Sequence, residues 1–241
     1  MSQNYTFKGN IVPGNEGTIV GNLLYDELGQ LVLAKLNERF RGVKGIELTD
    51  VFGIDEPITH SNVPRVLAID QILREEGLDI HVLSPEEVVR YWDVLPKRDS
   101  TNSHTNSVVV YPEEGINEEL RKKVLGLVKR KHTKVPLVVS GLGVKKAKND
   151  YGFTFTKTDY TIVKEAPYLA KHCNVIYDSE KDELVQADQG VPIWTLVGIQ
   201  GGLHCVDRHR GNRLNYWYHN LLDSTSDYGR VQLLSTRGQS I

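Results

Sequence analysis

The densest run of chemically reactive side chains lies in the C-terminal third of the sequence. Within ten residues, two glycines and a leucine are followed by His204, Cys205, Asp207 and His209. Neutral imidazole and carboxylate groups bind zinc, and three such ligands with one open position can activate a water molecule. His204, Asp207 and His209 are therefore a candidate site for a divalent metal ion. A metal-dependent hydrolase is one functional hypothesis, although this spacing matches no standard metal-binding motif.

The same segment has the composition of a surface that binds phosphates or bases. Arg208, Arg210 and Arg213 are followed by Trp217, which has a tyrosine on either side. Arginine binds phosphate through paired N–H donors, and aromatic rings stack on bases. These residues are therefore a candidate site for single-stranded nucleic acid or a nucleotide. The alternative is a strand whose arginines face solvent and whose aromatic rings pack on a core.

A second candidate site follows a short, continuous apolar run that predicts a strand covered on both faces. Ser140, Gly141 and Gly143 come directly after this run, and Lys145 and Lys146 follow them. Glycines let backbone N–H groups approach a ligand, and lysines favour an anionic one. Ligands collect beyond the carboxyl ends of strands in open α/β sheets. This pattern indicates a site for a phosphorylated ligand, with a simple turn and solvated lysines as the alternative.

Positive charge is concentrated in one segment of a nearly neutral chain. Residues 121–148 hold ten Lys and Arg residues and no Asp or Glu, while the whole chain has 29 basic and 31 acidic residues. That leaves 19 basic against 31 acidic residues elsewhere. A local cationic surface attracts anionic partners. Binding of nucleic acid or another phosphorylated ligand through residues 121–148 and 208–213 is therefore the leading hypothesis, against a merely solvated cationic helix face.

Several standard catalytic motifs do not occur. The chain has no G-x-x-x-x-G-K-[ST] phosphate loop, no H-E-x-x-H zinc helix, no C-x-x-C pair and no G-x-S-x-G elbow. These absences exclude motifs rather than activities, so the sequence does not decide whether the protein is an enzyme. A structural or assembly protein without catalysis is the third hypothesis. No motif here is diagnostic of one protein family.

Composition also bears on location. No apolar run approaches the roughly 18 residues of a membrane-spanning helix, and the N-terminal residues lack the pattern of a signal peptide. Two cysteines cannot form a disulfide framework. We therefore expect a soluble, cytoplasmic protein without membrane association. The sequence does not predict its oligomeric state.

The elements that would position these residues follow from hydrophobic spacing and end signals. Residues 18–40, 63–76 and 117–130 have helical spacing, and residues 45–52 have the pattern of a strand. The turn-like residues 28–30 leave a hairpin as the alternative over residues 18–40. Residues 84–87, Ser-Pro-Glu-Glu, are a strong helix start with capping-box spacing. Helices and strands therefore alternate through the first half of the chain.

The pattern changes near residue 150, where long amphipathic helices give way to short β-like segments. The sequence predicts an α/β N-terminal part over residues 1–150, with alternating strands and helices, followed by a β-rich C-terminal part over residues 151–241. No flexible linker divides the two parts, so they can pack as one domain. An α+β fold overall is the alternative.

Overall fold

A computed structural model describes residues 5, 7–96, 102–195, 201–209, 212–216, 221 and 229–236. Helices make up the smaller share of these residues. They are α1 (Glu27–Arg39), α2 (Val63–Glu75), α3 (Pro85–Arg90), α4 (Glu118–Leu127) and a short 3-10 helix at Pro167–Ala170.

Strands make up the larger share of the described chain. They are β1 (Asn10–Val12), β2 (Asn15–Asn22), β3 (Ile80–Val82), β4 (Ser103–Val110), β5 (Gly115–Ile116), β6 (Leu137–Ser140), β7 (Gly143–Lys146), β8 (Phe153–Thr156), β9 (Ile162–Glu165), β10 (Cys173–Asp178), β11 (Glu183–Ala187), β12 (Val191–Thr195), β13 (Gly201–His209), β14 (Arg213–Tyr216) and β15 (Arg230–Ser235). Thirteen of them pair in one mixed sheet, and β7 and β8 form a separate hairpin.

The large sheet draws its strands from the whole length of the described chain. Its main path runs β1-β2-β15-β4-β13-β14-β12-β10-β11, with β3 beside β15, β5 beside β13, and β6 and β9 continuing from β4. Most neighbours are antiparallel, and parallel pairing occurs at β12–β14, β13–β5 and β15–β4. Strands from both sides of residue 150 therefore lie next to each other. The division of the chain at that residue stays a prediction.

Both fold classes expected from the sequence are wrong, because the protein is dominated by strands. Helices account for 22% and strands for 37% of the structure, in place of an alternating α/β part or an α+β fold. Alternation predicts parallel strands joined by crossover helices. Instead, β4 pairs antiparallel with both β6 and β13. The apolar run of β6 is buried as expected, but burial on both faces does not distinguish a parallel strand from an antiparallel one.

Local differences have identifiable causes. The helical spacing over residues 18–40 covers the end of β2 and then α1, which begins where the Asp26 carboxylate accepts a hydrogen bond from the backbone N–H of Gly29 at 3.1 Å. Residues 45–52 form no strand. There, the side-chain amide of Asn37 bonds both the N–H and the C=O of Leu48, at 2.9 and 2.7 Å. The Asn37 side chain therefore satisfies the backbone groups of Leu48 that a neighbouring strand would otherwise bind.

Three helices agree with the sequence, and one of them is α4, which lies within the helix predicted over residues 117–130. The helix predicted over residues 63–76 is confirmed as α2, with Asn62 as its N-terminal cap. The capping box of α3 is confirmed as well: the Ser84 hydroxyl accepts from the Glu87 N–H, and the Glu87 carboxylate accepts from the Ser84 N–H. Such local signals act within one turn of helix and need no tertiary information.

The sheet separates two hydrophobic clusters, and β4 serves both of them. Val108 and Val110 belong to the cluster that α1, α2 and α4 cover, whereas Val109 belongs to the cluster on the α3 side. Successive side chains of a strand point to opposite faces, which explains this division. All eight residues of β4 are buried. No helix in the described part of the chain is long and apolar enough to cross a membrane.

Candidate functional site

A small polar pocket lies beside α3, at the end of β6 that carries Ser140. Its cavity volume is about 170 Å³. The lining side chains come from α2, β3, α3, β4, β6, β9 and the hairpin of β10 and β11. They are Arg74, His81, Ser84, Glu86, Glu87, Arg90, Asn106, Ser140, Gly141, Tyr160, Ile162, Lys164, Tyr177 and Asp182. The predicted Ser140–Gly141 site therefore faces a real cavity, which we call the polar pocket.

A histidine–carboxylate pair forms one wall of the polar pocket. His81 Nε2 lies 2.8 Å from Glu87 Oε1, and the other carboxylate oxygen of Glu87 accepts from the Ser84 N–H at 2.8 Å. Burial raises the pKa of Glu87. The hydrogen bond and charge of His81 and the hydrogen bonds of Ser84 outweigh this effect, so the pKa of Glu87 is lowered overall. Glu87 is therefore a carboxylate, so His81 donates its Nε2 proton. This bond fixes the orientation of the ring.

The His81–Glu87 bond gives a pH-dependent contribution to stability. Because the pKa of Glu87 is lowered on folding, the contribution is present above the ordinary glutamate pKa of about 4.3 and is lost as pH falls through the lower folded value. We expect Glu87→Gln to reduce the free energy of unfolding by about 1 kcal/mol at neutral pH. Urea titrations at several pH values should show this difference shrinking below about pH 4. A difference independent of pH would contradict the assignment.

Ser140 belongs to a chain of buried hydrogen bonds. The Ser107 hydroxyl donates to Asn106 Oδ1 at 3.1 Å, and Ser107 Oγ lies 2.7 Å from Ser140 Oγ. Since Ser107 has only one proton to give, Ser140 is the donor in the second bond. The Ser140 oxygen thus offers an acceptor to the cavity, which suits a ligand hydroxyl.

Close packing of neighbouring chain segments requires both glycines after β6. Gly141 has a φ of +66°, and its N–H donates to Asn106 O at 3.0 Å. A Cβ on Gly141 would lie 2.7 Å from the carbonyl oxygen of Tyr160, and one on Gly143 would lie 2.6 Å from Thr156 Oγ1. Close approach of neighbouring chain segments therefore explains both glycines. Gly143 lies outside the polar pocket.

Arg74 is held in the pocket wall by two partners. Its Nε donates to Asp70 Oδ2 at 3.2 Å, and its guanidinium carbon lies 4.2 Å from the centre of the Tyr160 ring. Asp70 is fully buried and also accepts from the Val82 N–H at 2.8 Å, which ties α2 to β3. Burial raises the pKa of Tyr160 to about 12, so the phenol stays neutral. The other four N–H groups of Arg74 are not used by this bond.

Two further cations complete the polar pocket, and they differ in their partners. Lys164 Nζ lies 3.5 Å from Glu86 and 3.7 Å from Asp182, so its charge is balanced locally. Arg90 is exposed, with its guanidinium carbon 5.2 and 5.3 Å from the ring centres of Tyr91 and Tyr177. It makes no ion pair with the residues that the structure describes. Arg90 is therefore the cation with most capacity for an added anion.

The basic segment 121–148 is distributed over several surfaces. Arg121 is buried and donates to the carbonyl oxygens of Tyr111 and Pro112, and Arg130 pairs with Glu165 at 2.8 Å. Lys145 and Lys146 are exposed on β7, where Lys146 Nζ donates to Arg41 O at 3.1 Å. Only Ser140 and Gly141 of this segment line the polar pocket.

The arginines near the C-terminal end of β13 stack on rings of the protein itself. Arg208 is buried, with its guanidinium carbon 4.8 Å from the Trp92 ring centre, and that of Arg213 lies 3.7 Å from the Trp194 ring centre. Arginine and aromatic side chains do contact each other here, and ligand contact by Arg208 and Arg213 stays a prediction. Arg210 and Trp217 lie outside the described residues.

The structure does not assemble the candidate metal ligands. Within the described residues, no group of three His, Cys, Asp or Glu side chains is arranged to hold a metal ion. His204, Asp207 and His209 all lie on β13, and the buried His204 ring has its Nε2 3.1 Å from Gly201 O and packs edge-on against Tyr111. Burial, together with the charge of Asp207, raises the pKa of the neighbouring Cys205 thiol, which disfavours a thiolate ligand.

Most residues of the polar pocket could not be predicted from the sequence. Arg74, Arg90, Tyr160 and Lys164 carry no motif, and they meet only through sheet pairing and helix packing. One usable signal existed: the capping-box glutamate, Glu87, follows a histidine on the preceding short strand, His81, by six residues. A comparison with protein-family models, curated proteins and solved structures found no match for this chain.

Proposed function

We propose that this protein binds a small phosphorylated molecule bearing hydroxyl groups in the polar pocket. The observation that carries the proposal is that Arg74 and Arg90, with N–H groups not used in ion pairs, border one cavity. Arginine N–H groups match phosphate oxygens in pairs. Ser140, Glu86 and Asp182 border the same cavity and supply acceptors for ligand hydroxyls.

The size of the cavity separates two classes of phosphorylated ligand. A cavity of about 150 Å³ encloses a molecule the size of benzene, and the polar pocket is close to that value at about 170 Å³. A phosphate on a short polyol is therefore favoured over a nucleic-acid strand, and a pentose phosphate would have to extend out of the pocket. Nucleic-acid binding through residues 121–148 and 208–213, and a metal-dependent hydrolase at β13, stay predictions from the sequence.

Calorimetric titration tests the proposal with four probes: inorganic phosphate, glycerol 3-phosphate, ribose 5-phosphate and unphosphorylated ribose. We expect a phosphorylated polyol to bind, with the affinity of Arg90→Ala reduced about tenfold or more because charge-assisted hydrogen bonds are lost. Arg130→Ala is the matched control, since Arg130 pairs with Glu165 outside the pocket. Equal binding of ribose, or equal loss in the control, would contradict the proposal.

A further inference from the structure

A loop at residues 50–56 projects two large apolar side chains into solvent. Val51 is 97% exposed and Ile54 is 81% exposed, the largest values among the exposed apolar residues of the described chain. Single exposed apolar residues are ordinary on protein surfaces. Two of them, three positions apart on one loop, form a small apolar tip.

The loop is held in place by the rest of the fold. The Tyr25 N–H donates to Glu56 O at 2.7 Å, and the Asp55 N–H donates to Tyr25 O at 3.2 Å. Lys8 pairs with the Asp55 carboxylate at 2.8 Å, and the rings of Tyr25 and Phe52 have centres 5.8 Å apart. Docking this tip therefore costs little ordering of the backbone.

The charge around the tip restricts its partner. Asp50, Asp55 and Glu56 flank the two apolar side chains, and only Asp55 forms an ion pair with a described residue, Lys8. A negative rim disfavours anionic lipid surfaces and nucleic acid, since like charges repel. It favours a surface with an apolar floor and positively charged edges.

This chain has a surface of that kind. Residues 42–44 and 146–152 line an open groove of about 670 Å³, here named the lysine groove. Val43, Ala147 and Tyr151 supply apolar surface, and three lysines border it, namely Lys44, Lys146 and Lys148. The one acidic residue in the lining is Asp150. The groove thus complements the 50–56 loop in both polarity and charge.

We propose that the 50–56 loop of one copy of this protein docks in the lysine groove of a second copy. Val51 and Ile54 cover the apolar floor, while Asp50 and Glu56 face the lysines. Reciprocal docking gives a closed dimer, and one-way docking gives an open chain. The tip is small, so the association is expected to be weak and to weaken further with added salt.

Sedimentation velocity of the full chain, up to about 1 mM at low and high salt, measures this association at the weak end of specific binding. We expect the average mass to rise with concentration in the wild-type protein. The affinity of self-association should fall on the order of tenfold or more in Ile54→Asp. The same fall is expected in the double variant Lys146→Glu with Lys148→Glu. Ile11→Asp, a change at a 53% exposed residue on β1, is the matched control and should leave it unaltered.

A mixing experiment tests the pairing directly. The loop variant retains an intact groove and the groove variant retains an intact loop, so an equal mixture should form a 1:1 heterodimer through one contact. A wild-type protein that stays monomeric throughout, or an Ile54→Asp variant that associates normally, would overturn the proposal. The proposal would also be overturned if the protein is monomeric and binds a fluorescent single-stranded oligonucleotide, with that binding lost in the groove variant and kept in the loop variant.

Discussion

Replacing Asp70 with alanine should lower the free energy of unfolding by about 3 kcal/mol, since it strips a buried site of its acceptor. The Val82 N–H would lose a 2.8 Å bond, and Arg74 would lose its 3.2 Å partner. Both groups are in the wall of the polar pocket or directly behind it. The change should therefore also weaken ligand binding. Urea unfolding followed by circular dichroism measures the first effect, and calorimetry measures the second.

Asp70→Asn is the informative control for that prediction. Burial raises the pKa of Asp70, although Arg74, the Val82 N–H and His81 act in the opposite direction. Asparagine keeps an acceptor for Val82 and carries no charge that must be buried. We expect it to cost less than half as much stability as alanine does. Equal losses in both variants would show that shape, rather than hydrogen bonding, determines the tolerance of this site.

Phe153→Ala should be at least as damaging, with a loss of about 4 kcal/mol from a large buried cavity. Phe153 is fully buried, and its ring lies edge-on to Tyr151 and Phe155 with centres 6.0 and 5.7 Å apart. Among the strands that the structure describes, β7 and β8 pair only with each other. The attachment of this hairpin therefore depends on side-chain packing against the helices and on bonds such as that from the Val144 N–H to Gln71 Oε1 at 2.9 Å.

Phe153→Leu separates packing from simple loss of volume. Because leucine leaves a smaller cavity than alanine, Phe153→Leu should lower the free energy of unfolding by about 1 kcal/mol and leave the hairpin attached. Guanidinium unfolding of both variants gives the two values. Hydrogen exchange of the β7 and β8 amides should show the alanine variant opening this hairpin before the sheet. A change in stability below about 1 kcal/mol for Phe153→Ala would contradict the assigned role of the ring.

The sequence predicted features that depend on a few consecutive residues. The Ser84–Glu87 capping box is complete within four residues, and the turn at Gly141 follows directly from an apolar run. Both are present in the structure. Ser140 was also correctly placed at a strand end, because a strand that ends in a polar residue brings its side chain to a boundary of the core.

Local sequence patterns do not predict which distant segments pair with each other. The apolar residues of β4 would suit a parallel or an antiparallel neighbour equally well, so the fold class was predicted wrongly. Arg208 stacks on Trp92, which is far away in sequence, and Arg213 stacks on Trp194 in the neighbouring strand β12, while ligand contact by these arginines stays a prediction. Arg74, His81 and Lys164 meet only because α2 packs against β3 and β4 and because β6 and β9 pair beside β4.

The place of β15 in the sheet has a consequence for biosynthesis. This strand lies between β2 and β4 in the sheet. During synthesis, β2 precedes it by roughly two hundred residues and β4 by more than one hundred residues. Until Arg230–Ser235 emerges, β2, β3 and β4 expose unpaired edges that can pair with other chains. The nascent protein therefore cannot complete its sheet stepwise, and closure waits for a segment made late.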